Sequence, residues 1–369
     1  MNPMTYEFAL LKATRLLHSL TRAGEALARL DERVTRSPIR DGFLQRQNFH
    51  EAVSSLWLDG ELVHVEDLVL HDARMDIRAP TNEIVNAHRI LRARRLMESH
   101  PPQWALSDHG LDLLRGRNVP SQSGMPTVIP DGEGTDAEEP DDVDSALADE
   151  LAEMDAVLSR SSALVADALS YRVQPEQSAN ILALDQSDEE SEEERFQRWR
   201  KLVDRYSEYP APLRAAILLD AWRDMQVSDR SPWLGRQLAA ALLRANGLTM
   251  LPALNTGLRA IQRERRHSRD QEERLIAILD GMSEAADLGM KEHDRLLNGK
   301  SRMERRLIGK RSNSRLPDLV ELVLANPVVS TSMIVKQLGT TPQGAMVLAN
   351  QLELREMTGR GRFRAWGIL

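Results

Sequence analysis

Apolar residues recur at helical spacing along most of the chain. In residues 6–34 leucines and alanines fall three, four or seven positions apart, which places them on one face of a helix. The same spacing recurs in stretches at 43–58, 80–97, 143–169, 196–202 and 256–307. The pattern predicts an all-α fold of packed helices, with one small β-hairpin near the C-terminus.

The most apolar stretch lies between residues 210 and 247. Its first half, 212–222, is apolar nearly all the way round, which is typical of a helix buried inside a larger helical body. Its second half begins at Ser231-Pro232, a good N-cap followed by a residue suited to the first helical position. Asn246-Gly247 is a stop signal. This stretch therefore predicts two buried helices joined by a short polar loop.

Residues 313–369 change their period several times within a short distance. The predicted elements are a helix at 316–325, an extended stretch at 328–330, a helix capped by Thr331 or Ser332 and ended by Gly339, a helix started by Thr340 or Thr341, and a hairpin over 354–368 with its turn at 358–361. Helix, short strand, helix, turn, helix and hairpin is the order of a winged helix-turn-helix, whose third helix enters the major groove of double-stranded DNA.

Candidate DNA contacts lie on the third helix and on the wing of this module. On the helix they are Thr341, Gln343, Gly344 and Asn350. On the wing they are Arg360, Arg362 and Arg364, which would meet phosphates or the minor groove. Winged modules also bind proteins, but the wing arginines and the basic residues that precede the module favour DNA.

Charge is distributed unevenly along the 369 residues, whose net charge is −8. From Lys300 onward there are 12 basic against 5 acidic residues, whereas the preceding part has 36 basic against 51 acidic. A basic end on an acidic body predicts a DNA contact confined to the C-terminus. Four arginines also cluster at 263, 265, 266 and 269, where a solvated helix face is the preferred interpretation.

Domain boundaries follow from one polar segment. Pro, Gly and many acidic residues between 119 and 144 are typical of a disordered linker, and their spacing does not fit a calcium loop. The predicted regions are an N-terminal helical part at 1–116, the linker at 117–144, a helical core at 145–312 and the winged module at 313–369.

Composition excludes several classes of protein. Hydrophobic residues make up 41 % and charged residues 28 %, as in ordinary globular chains. There is no cysteine, which excludes disulfides and thiolate chemistry. No apolar run is long enough to span a membrane, and Glu7 lies where a signal peptide would be apolar. We expect a cytoplasmic protein with no metal and no cofactor, whose partner is double-stranded DNA and whose candidate assembly is a homodimer.

Several short motifs resemble the Fic family, which transfers nucleotide monophosphates onto hydroxyl side chains. Residues 212–216 (Pro-Leu-Arg-Ala-Ala) and 234–236 (Leu-Gly-Arg) match the two flanks of that family's central motif. Residues 51–60 resemble its N-terminal segment, in which a Glu can restrain the active-site Arg. Asp59 aligns with that Glu, and its presumed partner position is Trp233 or Leu234. The resemblance implies a Fic-like helical body, and many Fic proteins also end in a similar winged module.

The centre of the Fic motif does not match. The family's catalytic His falls near Met225 or Gln226, and no histidine exists between His109 and His267. Neither Met nor Gln can take up a proton near pH 7. Pro232 lacks an N–H where the family's phosphate loop needs a donor. The residues left in the degenerate phosphate loop are Arg230, Ser231 and Arg236.

The motif therefore predicts a Fic-like body that is catalytically inactive. Asp229 aligns near the family's metal-holding acid, although an N-cap role is the preferred interpretation. The combination resembles a rhizobial family that joins such a body to a DNA-binding domain, so we expect a transcriptional regulator. Two alternatives stay open: a divergent nucleotidyl transferase with another base, and a sensor of an effector or protein partner.

Overall fold

The computed structural model describes residues 13–76, 79–116, 190–309, 314–357 and 364–368. The chain forms two compact units, one from Met1–Gln103 with Glu192–Leu369 and the other from Trp104–Ser191. The predicted linker at 117–144 and the predicted helix at 143–169 lie outside the described residues. The domain boundaries proposed from the sequence stay predictions.

The described secondary structure is almost entirely helical. The helices before the C-terminal module are α1 (Ala13–Thr35), α2 (Arg40–Leu58), α3 (Val65–Asp72), α4 (Asn82–Ser99), α5 (Asp108–Leu114), α6 (Glu192–Arg205), α7 (Ala211–Asp224), α8 (Leu234–Ala245), α9 (Leu254–Ala260), α10 (Arg263–Arg266) and α11 (Gln271–Arg305). Of these, α5 belongs to the second unit, where it follows a short 3-10 helix at Trp104–Leu106. Ser107 caps α5 by accepting a hydrogen bond from the N–H of Gly110 at 3.1 Å.

The 35-residue helix α11 is the axis of the first unit, and α1 and α9 pack along it. Small residues let α9 come close. A Cβ added at Gly257 would lie 2.0 Å from the carbonyl oxygen of Gly281, so any larger residue there would separate the two helices. Gly289 gives the same room to Leu30 of α1, whose Cδ2 would be 2.7 Å from an added Cβ.

Helices α7 and α8 are the two buried helices that the sequence predicts. Trp222 of α7 lies against Gly235 of α8, where an added Cβ would be 2.3 Å from the Trp222 Cγ. Gly247 adopts a positive φ of 67° and ends the segment as predicted. The predicted N-cap at Ser231 is wrong. Residues 231–234 form a separate turn, in which the N–H of Leu234 donates to the Ser231 carbonyl at 3.0 Å, and α8 begins only at Leu234.

A buried polar network joins α2, α4 and α9. The carboxylate of Glu51 accepts hydrogen bonds from the backbone N–H groups of Asn255, at 3.0 Å, and Thr256, at 2.6 Å. Arg94 is fully buried and donates to Asn48 at 2.8 Å and to Gln237 at 3.0 Å. Because each buried charge has partners, the network fixes the helices without an unsatisfied charge. Glu51, in the segment that resembles Fic proteins, therefore has a structural role.

The C-terminal module has the predicted order of elements. It consists of α12 (Leu316–Ala325), β1 (Val329–Ser330), α13 (Thr331–Leu338), α14 (Pro342–Gln351), β2 (Arg355–Glu356) and β3 (Ala365–Gly367). The strands form an antiparallel sheet in the order β1-β3-β2, in which Val329 pairs with Trp366 and Arg355 with Gly367. The all-α prediction with a small sheet at the C-terminus is confirmed, while the predicted turn at 358–361 lies outside the described residues.

Three cap residues set the bounds of α13 and α14. Ser330 caps α13 by accepting from the N–H of Met333 at 3.2 Å, so the predicted cap at Thr331 or Ser332 is wrong by one or two residues. The hydroxyl of Ser330 is available because β1 ends there. Gly339 has a φ of 62° and ends α13 as predicted. Thr341 caps α14, since it accepts from the N–H of Gly344 at 3.1 Å.

Two further findings concern the described residues as a whole. None of their helices is both long and apolar enough to cross a membrane. No group of three or more His, Asp or Glu among them is placed to hold a metal ion.

Candidate nucleic-acid interface

Helix α14 presents one side to the module's core and the other to solvent. Ala345 and Ala349 are fully buried, with Leu352 just beyond the helix. Gln343, Val347 and Asn350 are exposed and lie four and three residues apart, so they share one face. We call these three residues the exposed stripe. It is the surface with which a third helix of this topology meets the major groove.

The chemistry of the exposed stripe suits base edges. Gln and Asn side chains can each donate to and accept from adenine, and an apolar side chain can contact the thymine methyl group. The exposed fraction of Val347 is 54 %. Its angular distance from Ala345 and Ala349 was the signal that it faces outward.

The other two predicted contacts on α14 shape the start of the helix. The Thr341 hydroxyl is engaged in the cap described above. A Cβ added at Gly344 would lie 2.4 Å from the Thr340 Oγ1 and 3.3 Å from the Thr341 Oγ1. Gly344 therefore lets the turn pass close to the helix. Contacts of Thr341 and Gly344 with DNA stay predictions.

Only one of the three wing arginines lies within the described residues. Arg364 stands at the start of β3, where its carbonyl accepts the N–H of Thr331 at 3.2 Å. Its Nε lies 3.7 Å from the Glu356 carboxylate, and its side chain is 42 % exposed. Arg360 and Arg362 lie outside the described residues. Arg364 is thus at the base of the wing and keeps a partly accessible charge.

Several basic residues before the module are engaged within the protein. Arg306 donates to the carbonyl of Leu352 at 2.8 Å and pairs with Glu353, so it holds the end of α14. Lys300 pairs with Glu321 at 2.9 Å and donates to the Pro38 carbonyl at 3.1 Å. The charges of Arg306 and Lys300 are therefore partly used for structure.

The module is fastened to the helical body by α2 and α11. The buried guanidinium of Arg46 on α2 donates to the carbonyls of Val323 at 3.1 Å, Asn326 at 2.6 Å and Pro327 at 3.3 Å. Its Nε lies 3.1 Å from Glu292 on α11. Burial lowers the pKa of Arg46 to about 10, against the opposing effect of Glu292, so it remains charged near pH 7.

Two more contacts close the junction with α11. Arg295 donates to the carbonyl of Ile368 at 2.6 Å. Gly299 faces the same residue, since an added Cβ would be 2.7 Å from the Ile368 Cγ2. The end of the module therefore packs directly on the helix that forms the axis of the body.

The residues of the degenerate phosphate loop do not come together. Arg230 is exposed, whereas Ser231 is buried and its N–H donates to the Ser228 Oγ at 3.1 Å. Arg236 donates to the Asp59 carboxylate at 2.6 Å and to the Ser55 Oγ at 3.0 Å. The presumed partner of Asp59 at Trp233 or Leu234 is therefore wrong, because its partner is Arg236, two or three residues further along.

Comparison with known proteins supports DNA binding by the C-terminal module and identifies the family to which the chain belongs. A family model described as "HTH DNA binding domain" matches residues 316–369, and one described as "Protein of unknown function (DUF1612)" matches residues 185–308. "Uncharacterized protein y4cF" of Sinorhizobium fredii is 43 % identical over 386 aligned positions, which cover 99 % of this chain and 100 % of that protein. The chain belongs to the y4cF family.

Membership of the y4cF family covers the body and the module together. The C-terminal module is a helix-turn-helix DNA-binding domain, which confirms the coarse prediction of a DNA partner. The matched part of the body, residues 185–308, spans α6 to α11. The resemblance to Fic proteins stays a prediction that rests on the short motifs.

Proposed function

We propose that the protein is a DNA-binding transcriptional regulator built on a catalytically inactive, Fic-like helical body. The observation that carries the proposal is the exposed stripe on α14, where two amides and a valine face solvent in a helix-turn-helix domain. A protein whose side chains contact base edges can recognise particular DNA sites. A protein that contacts only phosphates cannot.

Arg46 and its contacts support a regulatory role for the body. Three backbone carbonyls of the module converge on this one buried side chain, so the module is held in a fixed orientation. A body that is rigidly joined to a DNA reader can alter where the reader sits. A body that is joined to the DNA-binding module only by a flexible linker could not change the position of the module in this way.

Selection of bound fragments from genomic DNA tests the proposal. A regulator should enrich a short set of related sites, and a promoter that carries such a site should change its output when the protein is expressed. A Gln343→Ala, Asn350→Ala double variant should lose the enrichment. Recovery of fragments without a shared sequence, at equal yield from the double variant, would refute sequence-specific regulation.

A second candidate function, nucleotidyl transfer, rests on one specific observation. His267, which follows α10 in the sequence, lines the same pocket as Asp229 and Arg236. Its pKa is lowered by burial and by Arg223, so the imidazole is neutral at pH 7 and can accept a proton. A histidine therefore lines this pocket, although alignment with the Fic motif places none near Met225 or Gln226. The labelling experiment in the Discussion separates the two functions.

A further inference from the structure

A pocket of about 440 Å³ opens in the helical body at the ends of several helices. It lies between the end of α2, helix α7, the loop before α8, and the segment from α9 to α11. Its apolar lining consists of Leu58, Leu219, Trp222, Pro232, Leu258 and Ile278. A concave site of this volume with a mostly apolar wall is suited to a small organic molecule.

The carboxylates that line the pocket are all engaged by arginines. Asp220 is fully buried and accepts from both sides of the Arg274 guanidinium, at 2.8 and 2.9 Å, and from Arg223 at 2.9 Å. Asp59 pairs with Arg236, and Asp229 pairs with Arg195, each at 2.6 Å. Because each acid already has its cation, the pocket offers no free carboxylate to a positively charged ligand.

Arg266 differs from the other lining arginines. Its Nε donates to the Ile261 carbonyl at 3.1 Å, and its guanidinium lies 5.7 Å from the centre of the Trp57 ring. Within the part of the chain that the structure describes, it forms no ion pair with a carboxylate. It is half-buried at the pocket wall, and the nearby Glu264 acts on its charge without forming an ion pair with it.

Arginines outnumber carboxylates among the charges that act on Arg266 and His267. Burial lowers the pKa of Arg266, Arg236 and Arg263 lower it further, and Glu264 opposes them. Burial also lowers the pKa of the neighbouring His267, with Arg223, Arg266 and Arg263 adding to the effect. Burial is the larger cause for both groups, and the neighbouring arginines add a repulsion that an incoming anion would relieve.

The geometry points to a binding site for a small amphipathic carboxylic acid, with its carboxylate on Arg266 and its apolar body on Leu58, Leu258 and Ile278. A bidentate guanidinium–carboxylate pair fixes the charged end, and the wall removes the rest of the molecule from water. The largely apolar wall favours a chain or ring over a sugar, whose hydroxyl groups would need partners.

Two helices connect the pocket to the DNA-binding module. Helix α2 lines the pocket with Leu58 at its C-terminal end and holds the module through Arg46 near its other end. Helix α11 contributes Ile278 to the pocket and Arg295 to the module. We therefore expect the acid to change DNA affinity. This second step rests on the function proposed above, whereas binding of the acid does not.

Displacement of the fluorescent probe 1-anilinonaphthalene-8-sulfonate from the full-length protein tests the site. The probe carries an apolar body and one negative charge. Decanoate should displace it at least ten-fold more effectively than decanol, which has the same chain without the charge. Arg266→Met should weaken decanoate about 10- to 100-fold, as expected for loss of a charge-assisted hydrogen bond, and should leave decanol unchanged.

Matched variants make the result specific to Arg266. Arg269→Met removes an exposed arginine that does not line the pocket and should keep the preference for decanoate. Arg266→Lys retains the charge and should restore part of the preference. Circular dichroism of each variant shows whether the helices are intact. Equal displacement by decanoate and decanol in the wild type, or an unchanged preference in Arg266→Met, would overturn the site.

A DNA-binding measurement with and without decanoate tests the second step. A change in affinity that is lost in Arg266→Met supports coupling between pocket and module. Unchanged DNA affinity at saturating decanoate would overturn the coupling and leave the site standing. A protein that binds decanoate but no DNA at all would overturn the proposed regulator instead.

Discussion

The buried guanidinium of Arg46 donates to the backbone carbonyl of Asn326, 2.6 Å away and 280 positions along the chain. This contact joins the second helix of the body to the end of the first helix of the DNA-binding module. A buried arginine that satisfies three carbonyls is costly to remove, because each carbonyl would be left without a donor. The stability of the module thus depends on the body.

Replacement of Arg46 by Met should weaken the junction. We expect a loss of about 3 kcal/mol in the free energy of unfolding, because the carbonyls and Glu292 lose their buried partner. Urea unfolding followed by circular dichroism measures it. The exposed Arg40 on the same helix is the control, and Arg40→Met should cost less than about 1 kcal/mol. Equal losses in the two variants would contradict the role of Arg46.

Changes in the exposed stripe should reduce discrimination between DNA sites. Gln343→Ala or Asn350→Ala should lower the difference in binding free energy between the best site and a mutated site by about 1–3 kcal/mol for each lost base contact. Fluorescence anisotropy with both DNA sequences measures the difference. The exposed Gln337 on α13 is the matched control, and Gln337→Ala should affect all sequences equally. Discrimination that survives both stripe variants would place base reading elsewhere.

Changes in the wing should act on affinity for every sequence. A module that neutralises roughly four phosphates should show a log–log salt slope of about −3.5 per protomer. Replacing Arg360, Arg362 and Arg364 with Ala should flatten this slope and weaken all sequences alike. A triple variant of the exposed Arg22 and Arg29 of α1 and of the exposed Arg36 just after it tests whether overall charge matters. A slope that is unchanged in the wing variant would favour protein recognition by the module.

The protein should transfer no AMP to itself or to proteins of a lysate in the presence of ATP and Mg²⁺. Loss of a general base typically slows a reaction by about 10²- to 10⁴-fold, and Pro232 also removes an amide donor from the phosphate loop. Autoradiography after incubation with labelled ATP measures transfer. Labelling that disappears in His267→Ala or Arg236→Ala would establish an enzyme instead.

The stability of the fold should fall in acid through His50. Burial and the nearby Arg46 lower its pKa from 6.5 to about 4, so the folded state binds its proton less readily than the unfolded chain does. The contribution of neutral His50 to the free energy of unfolding is complete above about pH 6.5. It is lost as the pH falls towards 4, and its maximum is about 3 kcal/mol. Unfolding free energies measured across this range should fall less in His50→Gln. The exposed His64 is the control, and a His64→Gln variant that flattens the profile as much would refute the assignment.

The sequence was most informative where local pattern and burial agree. The segment over 212–222 is apolar nearly all the way round, and it forms a buried helix because such a surface is normally covered inside a larger helical body. The order of elements in the module could be predicted because Gly339 ends α13 and Thr341 caps α14 through contacts with residues close to them in the chain. Such signals depend on a few adjacent residues and need no tertiary contacts.

Tertiary contacts explain what the sequence could not predict. Arg46 looks like any charged residue of a surface helix, and only the position of the module makes it buried. The pairing of Asp59 with Arg236 depends on where the end of α2 lies relative to the start of α8, which no spacing along the chain encodes. Ser231 matches the pattern of a helix cap. Its backbone carbonyl instead accepts the N–H of Leu234 in the turn at 231–234.

The pocket also could not be predicted from the sequence, because the residues that line it come from segments far apart in the chain. Leu58 and Ile278 are separated by more than half of the chain, and each resembles an ordinary core residue. The pattern of arginines at 263, 265, 266 and 269 predicts a solvated helix face. For the exposed Arg263 and Arg269 that interpretation agrees with the structure, whereas Arg266 is half-buried against Trp57.

The strand order β1-β3-β2 has a consequence for synthesis of the protein. The strand made last, Ala365–Gly367, lies between the two strands made earlier, which have no ladder with each other. A nascent chain that has not yet passed residue 367 can form the helices of the module but leaves both outer strands without hydrogen-bond partners. The sheet of the module therefore completes its ladders only after residues 365–367 have been translated, later than the whole body.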